Sequence, residues 1–258
     1  MESGKDSNGY VERKNLKPSY NKYLSPRIGL LTEKEKSEPR IEVAINFQKF
    51  DSLSQPLRGK LFYLHGNRGS MESCRFEIEP FLDAGYDVWT MDYRGFGNSK
   101  GPISEINLLA DAQMVYKEIL KTEQIDIIWG RSFGSCIATY LAKENEPKRL
   151  VLETPYWSLP DAGCKRFPFL ISQLFRYRLP THEYLSYVKC PVRIIHGTSD
   201  EKIYFGSSEK LETQGKQNGQ DIELYRIEEG KHNFRPSTEN PSPKMDQAFE
   251  DALNNASI

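Results

Sequence analysis

The sequence predicts an α/β fold, a mostly parallel sheet with helices on both faces, and three observations carry that prediction. Short runs rich in Val, Ile, Leu and aromatic residues alternate with helix-length amphipathic stretches from about residue 41 onward, the order that builds parallel sheets. The strand-like runs, such as KLFYL and RLVLE, are almost continuously apolar, which suits strands covered on two faces rather than one. The chain has 258 residues, 38% of them hydrophobic and 28% charged, enough apolar material for one core of that size.

Residues 1–40 are polar and rich in Lys, Glu, Ser and Pro, with a charge run from Glu33 to Glu38. They are expected to form an extended or partly mobile lead-in, with the packed body starting near Ile41 and reaching residue 258. Strands are expected near 41–48, 60–64, 87–91, 125–129, 149–153, 191–196 and 222–227, the first two giving the sheet an antiparallel start. Helices are expected near 71–84, 104–121, 134–144 and 206–215. Within 104–121, Ile106, Leu109, Ala110, Gln113, Val115, Tyr116 and Ile119 form an approximate helical stripe, which fits one buried face. The stretch 155–189 interrupts the alternation with Pro155, Pro160, Pro168, Pro180 and many aromatics. It reads as a cap inserted over the C-terminal sheet edge, where open α/β sheets bind ligands. A loop, FRPSTENPSPK, leads to a last short helix over Met245–Asn254.

Bulk properties exclude some functions. With 35 Lys and Arg against 36 Asp and Glu, the net charge is −1, so no whole-molecule field favours nucleic acid or an anionic membrane. Cys74, Cys136, Cys164 and Cys190 show no CxxC pair and no metal-like spacing; they read as reduced thiols, and no metal or cofactor is called for. No run of about 18 apolar residues and no leader-like apolar segment occurs, so the expected location is cytoplasmic.

The segment that carries chemistry is Gly130-Arg131-Ser132-Phe133-Gly134, between the apolar run IDIIW and the helix-like GSCIATYLAKEN. Strand, GxSxG, helix is the context of a nucleophile elbow: a sharp turn presents the hydroxyl above the sheet, and glycines two positions either side remove clashing side chains. The helix N-terminus favours developing negative charge. A serine hydroxyl needs a base within hydrogen-bond reach, and the chain has four histidines. His65 and His196 end strands and read as packing residues, and His182 lies in the cap. His232, in a loop after the last strand, fits the base in the order Ser, Asp, His. The base in turn needs an acceptor that fixes its tautomer. Asp200, after the strand ending HG, is expected there from chain order, and Glu153, one strand earlier, is the other carboxylate in reach.

The oxyanion formed in an acyl transfer needs two N–H donors. The backbone of Phe133 can supply one, and the loop after GKLFYLHG the other, most simply from Asn67, with Arg68 beside it. The glycine-rich DYRGFGNSKG matches neither common phosphate-binding spacing; its Asp92 and Arg94 read as a structural ion pair or capping set around the elbow. In the cap, Tyr156, Trp157, Phe167 and Phe169 could line an acyl-sized pocket or simply pack it down.

Taken together, LHGN, DYRGFGNSKG, GRSFGS, HGTSDEKI and GKHNF, in this order over about residues 41–235, resemble the α/β-hydrolase superfamily. More narrowly they are similar to its small soluble members grouped with serine aminopeptidases, monoacylglycerol lipases and protein depalmitoylases. The resemblance implies a central eight-stranded sheet, an esterase-like mechanism with Ser132, Asp200 and His232, and Asn67 and Phe133 in the oxyanion hole. The expected reaction is cleavage of a small-molecule carboxylic ester or thioester through an acyl-enzyme, with amide or peptide cleavage as a variant. A binding module that kept the fold without turnover is the alternative from another class.

Overall fold

The computed structural model describes residues 19–24, 42–67, 69–164, 177–233 and 243–254. Eight strands make one sheet: β1 (Ser19–Leu24), β2 (Glu42–Phe50), β3 (Gly59–Leu64), β4 (Tyr86–Met91), β5 (Ile127–Arg131), β6 (Arg149–Glu153), β7 (Val192–Gly197) and β8 (Ile222–Ile227). Their order is β1-β2-β4-β3-β5-β6-β7-β8. Seven of them run within two residues of the expected bounds.

Two expectations change. The antiparallel start is not made by the first two predicted strands: β2 pairs antiparallel with β4, whereas β3 lies parallel between β4 and β5. The all-apolar core of β3 fits that central place, because both its faces are covered. The sheet also begins well before Ile41, since β1 pairs antiparallel with β2 from Ser19↔Phe47 to Leu24↔Glu42. Without β1, β2 would present an open row of backbone donors and acceptors at the sheet edge.

Side chains alternate to the two faces along each strand. Phe62 and Leu64 of β3, Ile128 of β5 and Leu150 and Leu152 of β6 face one layer. It is built from α2 (Glu105–Leu120), α3 (Gly134–Asn145) and α6 (Gly206–Gln217). Leu61 and Tyr63, Trp129 and Val151 face the other, with Ile78 and Phe81 of α1 (Arg75–Asp83) and Phe249 and Leu253 of α7 (Pro243–Asn254). The α2 stripe lies where expected except at its start: Leu109, Ala110, Gln113, Val115, Tyr116 and Ile119 are buried, joined by Leu108 and Ala112, whereas Ile106 is 38% exposed. Asp111 turns inward on the same helix to meet Arg94 through two hydrogen bonds of 2.8 and 2.7 Å. Arg94 therefore pairs with Asp111 rather than Asp92, which instead accepts from the backbone N–H groups of Met71 and Asn98.

The cap region contributes α4 (Leu159–Cys164) and α5 (Thr181–Leu185). Among the expected pocket residues, Phe167 and Phe169 lie outside the described residues. Of the cysteines, Cys74, Cys136 and Cys190 are buried free thiols, and burial pushes the Cys190 thiol up to about 11.

Candidate active site

Ser132 stands between β5 and α3 with φ of +50°, a left-handed conformation that costs a non-glycine residue energy. Its N–H donates to Glu153 O on the neighbouring strand, which fixes the turn from below. The glycine on the helix side is required by space: a Cβ on Gly134 would lie 2.2 Å from the Leu64 carbonyl oxygen, which is backbone and cannot yield. The helix therefore starts against the end of β3, and the Ser132 side chain is left partly exposed at its mouth. Strand β3 also ends here, at the loop carrying Asn67. The backbone N–H groups of Asn67 and Phe133 donate to no acceptor among the described residues.

Asp200 and His232 are brought together by the loops after β7 and β8. These loops touch back to back: a Cβ on Gly197 would lie 2.1 Å from Gly230 O, and Ser199 N–H donates to that same carbonyl. Across this junction His232 Nδ1–H donates to Asp200 Oδ2 at 2.8 Å, with the Asp200 side chain fully buried and that of His232 nearly so. The other oxygen of Asp200 accepts from the N–H groups of Lys202 and Ile203. Burial alone would raise the Asp200 pKa, but the bonds from His196 and His232 outweigh it and hold the carboxyl well below the usual carboxylate range. Asp200 is thus an ionised acceptor, which makes His232 Nδ1 a donor and leaves Nε2 as the nitrogen that can take a proton.

Glu153 does not reach His232 in this arrangement. Its carboxylate accepts from Trp129 Nε1 and Arg131 Nε, at 3.0 and 2.9 Å. Arg131, one of the two unspecified positions of the GxSxG segment, ties the site together. It also donates to Glu77 of α1 at 2.7 Å, to Asn233 Oδ1 at 2.8 Å and to the His232 carbonyl at 3.4 Å. The histidine loop is therefore anchored to the residue directly before Ser132. No hydrogen bond joins Ser132 to His232 among the described residues; bonds between a base and its nucleophile commonly close only around substrate.

The remaining candidates divide. Tyr156 is fully buried and donates to Phe133 O, so it packs beneath the elbow instead of lining an open pocket. Trp157 is partly exposed, stacked on His182 at 4.4 Å. It borders a surface cavity of about 530 Å³ with Tyr204, Lys210 and Gln214, a cavity that includes none of Ser132, Asp200 or His232 in its lining. His65 packs against Tyr93 at 4.4 Å. His196, expected as another packing residue, bonds Asp200 directly. Its place four residues before Asp200 across a strand-end turn was the signal for that contact.

A family model described as alpha/beta hydrolase fold matches residues 60–165, from β3 through the elbow into the cap. The lysophosphatidylserine lipase ABHD12 of Danio rerio is 29% identical over 223 residues, which are 75% of this chain and 58% of that protein. The chain spans about half the length of the curated relatives it matches. Among solved structures, Est1E of Butyrivibrio proteoclasticus with ferulic acid bound superposes with a TM-score of 0.60 at 18% identity, over 74% of this chain and 88% of that one. An acylaminoacyl peptidase of Pyrococcus horikoshii superposes with a TM-score of 0.62 at 16% identity, over 92% of this chain and 40% of that one. The sequence match and the superpositions converge on the sheet that holds Ser132, and the chain has the α/β-hydrolase fold.

Proposed function

We propose that this protein is a serine hydrolase that cleaves a carboxylic ester or thioester through an acyl-enzyme, with Ser132 as nucleophile, His232 as base and Asp200 as the orienting acid. The observation that carries the reading is the 2.8 Å bond from His232 to a buried, ionised Asp200, on a loop fastened by Arg131 to the turn that strains Ser132. Such a histidine has one nitrogen committed and the other available.

In the reaction, His232 Nε2 takes the Ser132 proton as Oγ attacks the acyl carbon, and the carbonyl electrons move onto oxygen. The N–H groups of Asn67 and Phe133, which have no acceptor among the described residues, then stabilise that oxyanion. Collapse expels the alcohol or thiol, which leaves with the proton from His232. Water attacks the acyl-serine with His232 again as base, releasing the acid and restoring Ser132.

The curated relatives named as lysophosphatidylserine lipases favour an acyl ester as the first substrate class to try. A panel of nitrophenyl esters graded by chain length, run beside a thioester and an anilide, tests the reading. Ester or thioester turnover that falls by roughly 10⁴–10⁶ in His232→Ala is expected. A loss below tenfold, or turnover of the anilide alone, would overturn it.

A further inference from the structure

His196 is completely buried at the end of β7, and both of its ring nitrogens are engaged. Nε2 lies 3.0 Å from Asp200 Oδ2 and 3.3 Å from the Ile203 carbonyl oxygen. An ionised carboxylate and a carbonyl can only accept, so the hydrogen of the neutral ring sits on Nε2. Nδ1 then has a bare lone pair, and the Ser208 hydroxyl, 2.6 Å away on α6, donates to it. The Phe205 ring meets His196 edge-on at 5.5 Å. An imidazole held in so dry a place costs more than an apolar side chain unless its polar atoms are used.

Resting on the catalytic reading above, we propose that His196 is a positioning residue for the reaction: it is the second donor on the Asp200 oxygen that His232 uses, and Ser208 fixes the tautomer that lets it donate. Asp200 is thereby held by four N–H groups, from His196, His232, Lys202 and Ile203. Two donors on Oδ2 share its charge. When His232 gains the Ser132 proton, the strength of its bond to Asp200 depends on how much charge His196 draws away. Among the described residues, the other charged or titratable groups bonded to this pair are Glu201, which accepts from His232 N–H, and Arg131, which donates to the His232 carbonyl.

Removing the donor leaves more charge on Oδ2 for His232 and frees the carboxylate to turn. The imidazolium gains stability, so the acid limb of kcat/KM moves to higher pH, on the order of half a unit to one unit, and kcat falls because the pair is less well aligned. Losing a hydrogen bond that supports a metal-ligating side chain costs about 10- to 100-fold in activity, and a loss of the same order is expected for this supporting bond. Ser208 acts one bond further out. Its hydroxyl polarises the ring and strengthens the Nε2 bond, so its loss has a smaller effect of the same sign.

The experiment compares wild type, His196→Leu, His196→Gln and Ser208→Ala as full chains, with nitrophenyl ester hydrolysis measured from pH 5 to 9. Glutamine can place an amide N–H near the former Nε2. We expect His196→Leu to lose about 10- to 100-fold in kcat with its acid limb raised. His196→Gln should stay within about threefold of wild type with the limb in place, and Ser208→Ala should show a smaller rise. Equal damage in the Gln and Leu variants, or wild-type kcat and limb in His196→Leu, overturns the proposal. If His196→Leu does not fold, Gln that fails to hold the wild-type limb or an unmoved limb in Ser208→Ala does so. Proton NMR reads the pairing without turnover. Two low-field imidazole N–H resonances are expected, one lost in His196→Gln and both shifted in Asp200→Asn. Those resonances in an inactive wild type would sink the catalytic reading while leaving the pairing intact; their absence in an active one would sink the pairing alone.

Discussion

Arg131→Met is the perturbation whose size the structure fixes best. Methionine keeps most of the stem volume and removes the guanidinium that bonds Glu153, Glu77, Asn233 and the His232 carbonyl. Glu153 is 1% exposed; it keeps the bond from Trp129 Nε1 but loses the Arg131 guanidinium. Stripping one partner from a buried ion pair costs about 3–5 kcal/mol, because the other charge stays desolvated. The Glu77 side chain is 26% exposed, so its pair with Arg131 adds at most about 1 kcal/mol. A total near 3–5 kcal/mol is a large part of the roughly 5–15 kcal/mol that holds most domains folded. Urea unfolding followed by circular dichroism should show it as a midpoint lower by about 1–2 M at an ordinary slope. Adding Glu153→Gln to Arg131→Met should recover about half the loss, since a neutral amide needs no counter-ion. A cost below 1 kcal/mol, or no recovery in the double variant, would refute the assignment of Arg131 to a buried charge network.

Gly134→Ala should destroy the elbow, because the new methyl would meet the Leu64 carbonyl oxygen at 2.2 Å. Overpacking of that kind costs about 1–3 kcal/mol or more, so we expect a lower Tm by calorimetry together with lost ester turnover, and an unchanged Tm would contradict the packing. Asp200→Asn should lower kcat on the order of 10⁴ through loss of tautomer control. Its effect on stability should depend on pH with a defined sign. The folded-state pKa of Asp200 is depressed, so its contribution is fully present above the ordinary unfolded value of about 3.9 and is lost as pH falls through the folded value. The Tm gap between wild type and Asp200→Asn should therefore be steady from pH 8 to 5 and narrow below about 4; a gap equally wide at pH 3 and pH 7 would contradict the ionised carboxylate.

Much of this was legible from hydrophobic runs and glycine placement, and the exceptions have physical causes. Runs such as LFYL and RLVLE are buried on both faces, which is why their ends could be read closely. The order of strands in the sheet depends on which run packs at the centre, and neither β2 nor β3 carries a mark of its neighbour. Strand β1, SYNKYL, is short and polar and is visible only through its pairing with β2. At the site, Ser132 stands out because its glycines are sterically required, and Asp200 and His232 follow from strand-end order. Arg131 was hidden because a GxSxG pattern leaves its middle positions unspecified, and its partners Glu77, Glu153 and Asn233 lie far apart in sequence. Tyr156 illustrates the opposite limit: an aromatic in a cap reads equally as pocket or packing, and only its buried hydroxyl on Phe133 O decides the matter.

Every step of the proposed reaction depends on the Ser132 hydroxyl being an activated nucleophile. Reaction of the folded protein with a fluorophosphonate, followed by digestion and mass spectrometry, measures this directly. One adduct on the Ser132 peptide is predicted, absent in Ser132→Ala and much slower to form in His232→Ala. Correctly folded wild type that takes up no probe, or takes it up on a different residue at undiminished rate when Ser132 is replaced, would contradict it.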